Sequence, residues 1–463
     1  MSEDLAARLA AAVEAGMPRV RDDLARLVGC RSVANPAIEP VEECRRAASL
    51  VVELLKEVGL DGVEALPAPD GSQAVVGRTA GPVGAPRVLL YSHHDVVPVG
   101  DPGAWTVPPW VLTERDGRWY GRGSADCKGN LMASVLALRA LREVLGAWPV
   151  EVAVVCEGSE EQSSGGMEAL ARQSPELVDC DALLIADTGN VELGLPTLTT
   201  SLRGTGSVLV TVRTMEHAAH SGMFGGAAPD ALQALVATLA TLRDDTGETT
   251  VDGLDHSGTW DGNPFEESRF RQDAALLDGV DPLTGDGTVA DLLWARPAAT
   301  VIALDATPVS QVTAAVHAEA RAVVNLRVPP DVDAAEAQRL LVEHLVRHTP
   351  YGAHVEARPV SLGHGFRART DGPAYAAMGR AMRTAFGRDV VTTGQGGSIP
   401  LATALAELVP HAEILLLGVE EPASRIHAVD ESVDPGELQR TALAQALFLA
   451  DLGGLLGAEG ADA

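Results

Sequence analysis

The sequence predicts an α/β fold built on a mostly parallel sheet and interrupted by an inserted segment of α+β character. Three observations carry this prediction. Short apolar runs at 87–92, 150–156 and 182–186 alternate with a helical apolar pattern at 130–144, and strand, helix, strand in that order gives a parallel sheet. Each run passes at once into an imidazole or a carboxylate, namely His93, Glu157 and Asp187, which is where open α/β sheets gather their reactive groups. The patterning changes near Thr199 and returns at Pro373. The simplest parsing is therefore one discontinuous domain, 1–198 with 372–463, split by an insert at 199–371.

The elements follow in order. Residues 6–60 carry apolar positions at helical spacing in two stretches, broken near Asn35-Pro36 and resuming over 41–56. The three apolar strands and the helix between the first two come next. No strand pattern leads directly into Gly121-Arg122-Gly123, so a phosphate loop there is a weak reading. In the insert, 207–213 alternates as a strand, 229–242 is helical, 251–287 is rich in Gly and Asp, and 313–328 and 334–347 read as strand and helix. The last part gives a helix at 374–386, a Gly-rich turn at 394–398, a buried strand at 413–417 and a closing helix at 435–452. No internal repeat and no low-complexity tract interrupts the chain.

At 463 residues the chain is longer than one core usually supports. Apolar residues make up 46% and charged residues 21%, as in an ordinary globular protein. A formal charge of −29 opposes phosphate backbones and anionic lipid, so neither nucleic acid nor a membrane is the expected partner. Glu3 and Asp4 stand where a signal peptide would carry positive charge. Five cysteines, odd in number and without paired metal-ligand spacing, suit a reducing compartment. The expected location is cytoplasmic.

Five short segments then supply carboxylates and imidazoles. His93 and Asp95 sit two apart after a strand, so that the imidazole can bind a metal while Asp95 orients a ligand from behind. Asp126 lies in Gly-Arg-Gly-x-x-Asp-x-Lys-Gly, where one carboxylate could bridge two cations through its two oxygens. Glu160 and Glu161 are adjacent, and like charges so close need cations or separate roles. One could ligate while the other takes a proton from water. Asp187 and His427 complete a set of His, Asp, Glu, Asp and His without sulfur, which suits Zn²⁺ but also Mn²⁺ or Co²⁺. Two such ions side by side would acidify water and stabilise the oxyanion of an attacked carbonyl.

Taken together, these segments resemble those of the M20 family of metallopeptidases, over nearly the whole chain. The resemblance implies that Asp126 bridges two divalent ions, that His93 and Asp187 hold one and that Glu161 and His427 hold the other. It further implies Glu160 as general base, Asp95 as the partner of His93, and a cis peptide between Asp126 and Cys127. Within the insert, His220-Ser221-Gly222-Met223-Phe224-Gly225-Gly226 looks like a segment of the dipeptidase branch, which includes carnosinase and the cytosolic nonspecific dipeptidases. There the His reaches the partner subunit's active site. Arg327, Gly396, Gly397 and Ser398 match segments that hold a substrate's free carboxylate, a task suited to a guanidinium fork and backbone N–H groups. Two departures stand out: Gly394-Gln395 replaces the usual Arg-Glu, and His94 stands where Tyr is common.

The expectation is a cytoplasmic, homodimeric dipeptidase with two divalent ions per subunit, Zn²⁺ first, and an inserted lid and dimerisation domain. Small peptides would be its substrates. The rival is a deacylase or desuccinylase of the same family acting on N-acyl amino acids. A non-catalytic acidic binding protein on the same fold is a third reading, which an intact Glu160 argues against.

Overall fold

A computed structural model describes residues 2–162, 165–397 and 399–456. The chain divides into two compact units, Met1–Thr200 with Ala368–Thr393 and Pro400–Ala463, and Ser201–Arg367 with Gly394–Ile399.

The first unit is built on a sheet ordered Asp61–Pro67, Gln73–Arg78, Glu151–Glu157, Arg87–His93, Ala182–Ala186, Glu413–Leu417 and Thr197–Leu202. Its four central strands are mutually parallel. These are the apolar runs of the sequence, buried on both faces as parallel strands are. Register brings their C-terminal ends level: His93 pairs with Glu157, Tyr91 with Ile185, and Ala186 with Leu417. The residues that follow these strands therefore emerge along one edge. The hairpin that extends the sheet, Asp61–Pro67 with Gln73–Arg78, was not read from the sequence. Its first strand has a mixed burial pattern that blurs the alternation.

Helices cover the sheet where apolar periodicity predicts them. Val41–Val58, Lys128–Leu145, Pro373–Phe386 and Pro435–Leu452 match expectation to within a few residues. The first helix, Ser2–Val28, runs on through Pro18. Lys128–Leu145 is buried along most of its length, and its Leu131, Val135 and Leu138 join Val20, Leu24 and Leu27 of the first helix in one core. At roughly 1.5 to 3 kcal/mol for each fully buried aliphatic side chain, this packing anchors the loop that precedes the helix.

One expectation is corrected. A three-residue strand, Arg118–Tyr120, does run directly into Gly121. It belongs to a small antiparallel sheet with Thr113–Arg115 and Ser432–Val433. Its near partner is Thr113–Arg115 across the Asp116-Gly117 turn and its far partner lies over three hundred positions away; strands of three residues are too short to leave an apolar pattern to read.

The second unit has a four-stranded antiparallel sheet ordered Ala298–Asp305, Glu319–Val328, Gly204–Arg213 and His354–Gly363. Ala231–Ala240 and Ala334–Arg347 cover one face, with Leu235, Leu341 and Leu345 against Val208, Val210 and Val324. The edge strand Ala298–Asp305 exposes Val301, Ile302 and Leu304. The expected Gly-rich turn at 394–398 starts later than its glycines suggest, because Val391–Gln395 is extended as a strand. Gly394 is required there: a Cβ would lie 2.6 Å from the Trp294 ring.

Candidate metal centre

Asp126 sits at the middle of the site in the first unit. Its Oδ1 is 3.2 Å from His93 Nε2, and its Oδ2 is 3.0 Å from His427 Nε2. Each carboxylate oxygen thus faces a different imidazole. His93 Nε2 is also 3.1 Å from Asp187 Oδ1, and His427 Nε2 is 3.1 Å from Glu161 Oε2. The five expected ligands therefore form two groups that share Asp126. Among the described residues, clusters able to hold a cation include His93, Asp126 and Glu161, and His93, Cys127 and Asp187. The peptide between Asp126 and Cys127 is cis, as the resemblance implied.

The donor set fits two cations. Asp126 and Asp187 are more than nine-tenths buried at the side chain, and so is Glu161, whose Oε1 has no hydrogen-bond partner among the described residues. Burial and the charge of Asp187 push the Glu160 carboxyl up to about 9. Hydrogen bonds to Asp126 and Glu161 push the His427 imidazole up to about 10. Protons on these groups stand in for positive charge that the carboxylates lack, since several buried anions at this spacing are unfavourable without cations.

Asp95 holds more than His93. The imidazole Nδ1 hydrogen-bonds the Asp95 backbone carbonyl oxygen at 3.1 Å and lies 3.4 Å from Asp95 Oδ1, while the two carboxylate oxygens accept hydrogen bonds from the backbone N–H of Glu160 and Glu161, each at 3.1 Å. One buried carboxylate thereby ties the His93 strand to the turn that carries both glutamates.

Three side chains at the site escaped the sequence analysis. Glu431 accepts hydrogen bonds from Arg122 Nη1 at 2.6 Å and from the N–H groups of Gly123, Ala125 and Asp126 at 3.0 to 3.1 Å. Gly123, at φ 81°, lets this loop close, and a Cβ there would meet Val96 at 2.7 Å. Glu420 offers a further carboxylate beside Asp126 and Asp187, and Asn130 Nδ2 donates to it. Burial, then the charges of Asp126 and Asp187, raise its carboxyl well above the usual range. Cys127 brings sulfur to a set read as sulfur-free. None of the three carries a spacing that marks it in the sequence. Glu157, expected just after its strand, is the strand's last residue and accepts from Tyr91 Oη at 2.6 Å, and burial pushes it up to about 7.

The remaining candidates belong to the second unit. His220 is exposed, and its Nδ1 accepts from the Gly222 N–H at 3.1 Å. Arg327 lies in the strand Glu319–Val328, where burial lowers its pKa and its Nη1 has no hydrogen-bond partner among the described residues. Arg203 Nη2 donates to the carbonyls of Arg296 and Arg327, and burial together with the Arg327 charge brings it down to about 10. Among the described residues neither of these neighbouring guanidiniums is shown with a carboxylate partner, a setting that suits an anion. Gly396 and Gly397 are exposed, and Ser398 lies outside the described residues. A second acid and imidazole group, Asp252, His344 and His348, is satisfied internally. His344 Nδ1 accepts from the Asp252 N–H, its Nε2 meets Thr241 Oγ1, and the Asp252 carboxylate takes Arg347 and His348.

Comparison with known proteins places this geometry in a family. A cysteinylglycine-S-conjugate dipeptidase of Corynebacterium striatum is 43% identical over 439 residues, covering 94% of this chain and 96% of that protein. The solved structure of the dipeptidase Dug1p from Saccharomyces cerevisiae superposes with a TM-score of 0.81 at 20% identity, over 98% of this chain and 99% of that one. Human carnosine dipeptidase 1 gives 0.80 at 23% identity, over 97% and 99%. The family model for peptidase family M20/M25/M40 matches residues 89–451. With a match over most of its length and its acidic and imidazole groups gathered at one sheet edge, the chain belongs to peptidase family M20/M25/M40.

Proposed function

We propose that this protein is a dipeptidase that works with two divalent cations, Zn²⁺ first and Mn²⁺ or Co²⁺ as alternatives. The observation that carries the reading is Asp126, whose two oxygens face His93 and His427 separately at 3.2 and 3.0 Å. His93 and Asp187 would hold one ion, Glu161 and His427 the other, and Asp126 both. Bound cations would supply Lewis-acid polarisation of the scissile carbonyl and acidify the attacking water.

The chain's own residues do the rest. Glu160, on the turn clamped by Asp95, takes the proton from water and returns it to the leaving amine. Arg327, with Gly396, Gly397 and Ser398, receives the substrate's free carboxylate, and His220 of the partner subunit donates to the developing oxyanion in a homodimer. The inserted unit, 199–371, would be lid and dimerisation domain. Support for dimerisation comes from its edge strand, where Val301, Ile302 and Leu304 are exposed.

The decisive experiment compares dipeptides, S-substituted Cys-Gly among them, with N-acyl amino acids, each with added Zn²⁺ or Mn²⁺. Cleavage of dipeptides alone supports the proposal. Faster turnover of N-acyl amino acids would make the protein a deacylase, and no turnover of either would leave a binding protein.

A further inference from the structure

Cys127 directly follows Asp126 and opens the helix Lys128–Leu145. It is fully buried, and Sγ donates to Ala186 O at 2.9 Å, at the strand end from which Asp187 emerges. One ligand atom each from His93, Cys127 and Asp187 lie within 4.8 Å of one another. His93 Nε2 and Asp187 Oδ1 already meet at 3.1 Å without the thiol, so the sulfur adds to a pair of donors that converge independently of it. Among the described residues, none of the other four cysteines falls in a group able to hold a cation.

The spacing has a chemical meaning. Donors about 2.0 to 2.3 Å from a tetrahedral ion stand roughly 3.3 to 3.8 Å from one another, so three donor atoms within 4.8 Å of one another need closing movements of only about 1 Å to share one centre. A small apolar residue would fill the same space beneath Ala186. A thiol there adds a soft donor that carboxylate and imidazole do not supply.

We propose that Cys127 is a sulfur ligand to the cation held by His93 and Asp187. On metal binding the S–H proton leaves to solvent and the thiolate ligates, with no change of oxidation state. The position then favours thiophilic Zn²⁺, Co²⁺ and Cd²⁺ over Mn²⁺. This inference rests on the two-cation reading above, and its test separates the two.

The metal-free protein is titrated with Co²⁺ while bound cobalt is counted by elemental analysis and the near-ultraviolet and visible spectra are recorded. The expected result is two cobalt ions with a sulfur-to-cobalt charge-transfer band, lost in Cys127→Ser and kept in Cys44→Ser. In Zn²⁺ against Mn²⁺ competition, Cys127→Ser is expected to shift toward Mn²⁺ by about tenfold or more. Two bound cobalt ions with ligand-field bands but no charge-transfer band in the unmutated protein would overturn the sulfur ligand and leave the two-cation reading standing. No cobalt bound would overturn both. Because the unmutated protein alone can refute the proposal, a misfolded Cys127→Ser does not rescue it.

Discussion

Replacing Glu431 with alanine tests whether the loop around Asp126 is held from behind by one buried carboxylate. Both side chains of the Arg122–Glu431 pair are 1% exposed, and the carboxylate accepts four hydrogen bonds: one from the guanidinium and three from backbone N–H groups, including that of Asp126. Alanine leaves a buried guanidinium without its counter-ion, although Arg122 Nη2 keeps the Ala428 carbonyl at 3.1 Å. Removing one partner of a buried pair costs about 3 to 5 kcal/mol, a large share of the roughly 5 to 15 kcal/mol by which proteins are stable. The loss is expected in urea denaturation of the metal-free protein. Adding Arg122→Met should recover part of it, because no uncompensated charge is then buried. Since Asp126 loses its backbone anchor, metal affinity should also fall by roughly 10- to 100-fold, as for other partners that orient ligands. A loss below about 1 kcal/mol, within the range of ordinary substitutions, together with unchanged metal affinity, would refute the reasoning.

The remaining predictions concern the reaction and its pH dependence. Glu160→Gln should keep two metals and lose about 10² to 10⁴ in kcat, since an amide cannot accept the proton; near-normal kcat with metal bound would remove Glu160 as the base. Asp126→Ala should lose both ions together, and metal analysis showing one tightly held ion per chain would contradict the bridging role. Mixing inactive His220→Ala with inactive Glu160→Gln under subunit exchange should restore part of the activity, because one site per heterodimer then has both residues; removal of one oxyanion donor costs about 10² to 10³ in rate. Activity that stays at the level of the parents, with the heterodimer seen by native mass spectrometry, would rule out action in trans. Burial brings the His94 imidazole down to about 4, so the unfolded chain takes up this proton first and stability falls as pH drops from about 6.5 toward 4, by up to about 3 kcal/mol. His94→Gln should remove that part of the acid destabilisation, and an unchanged pH profile of the denaturation midpoint would exclude it.

The sheet and most of the metal centre were legible because their signals are local. A strand buried on both faces must be an unbroken apolar run, and a helix on the sheet must repeat every 3.6 residues. Thus 182–186 and 413–417 announced themselves, and the residues after the runs at 87–92, 150–156 and 182–186 were marked as site candidates. Asp187, His93 and the Glu160-Glu161 turn follow such runs and now converge on Asp126. What stayed hidden depends on partners far away in the chain. Arg118–Tyr120 is the middle strand of a small sheet, and one of its two partners, Ser432–Val433, lies more than three hundred positions away. Glu431 looks like one of sixty-four acidic residues until folding sets it under the backbone of 123–126, and Arg203 looks like any cation until it is buried against the carbonyl of Arg327. Cys127 carries no spacing that marks a ligand, and only the approach of the 87–93 and 182–186 strand ends puts His93 and Asp187 beside its sulfur. Sequence patterning records which face of an element is buried, whereas the distance between two polar groups on different elements is set by packing, and packing exists only once the chain has folded.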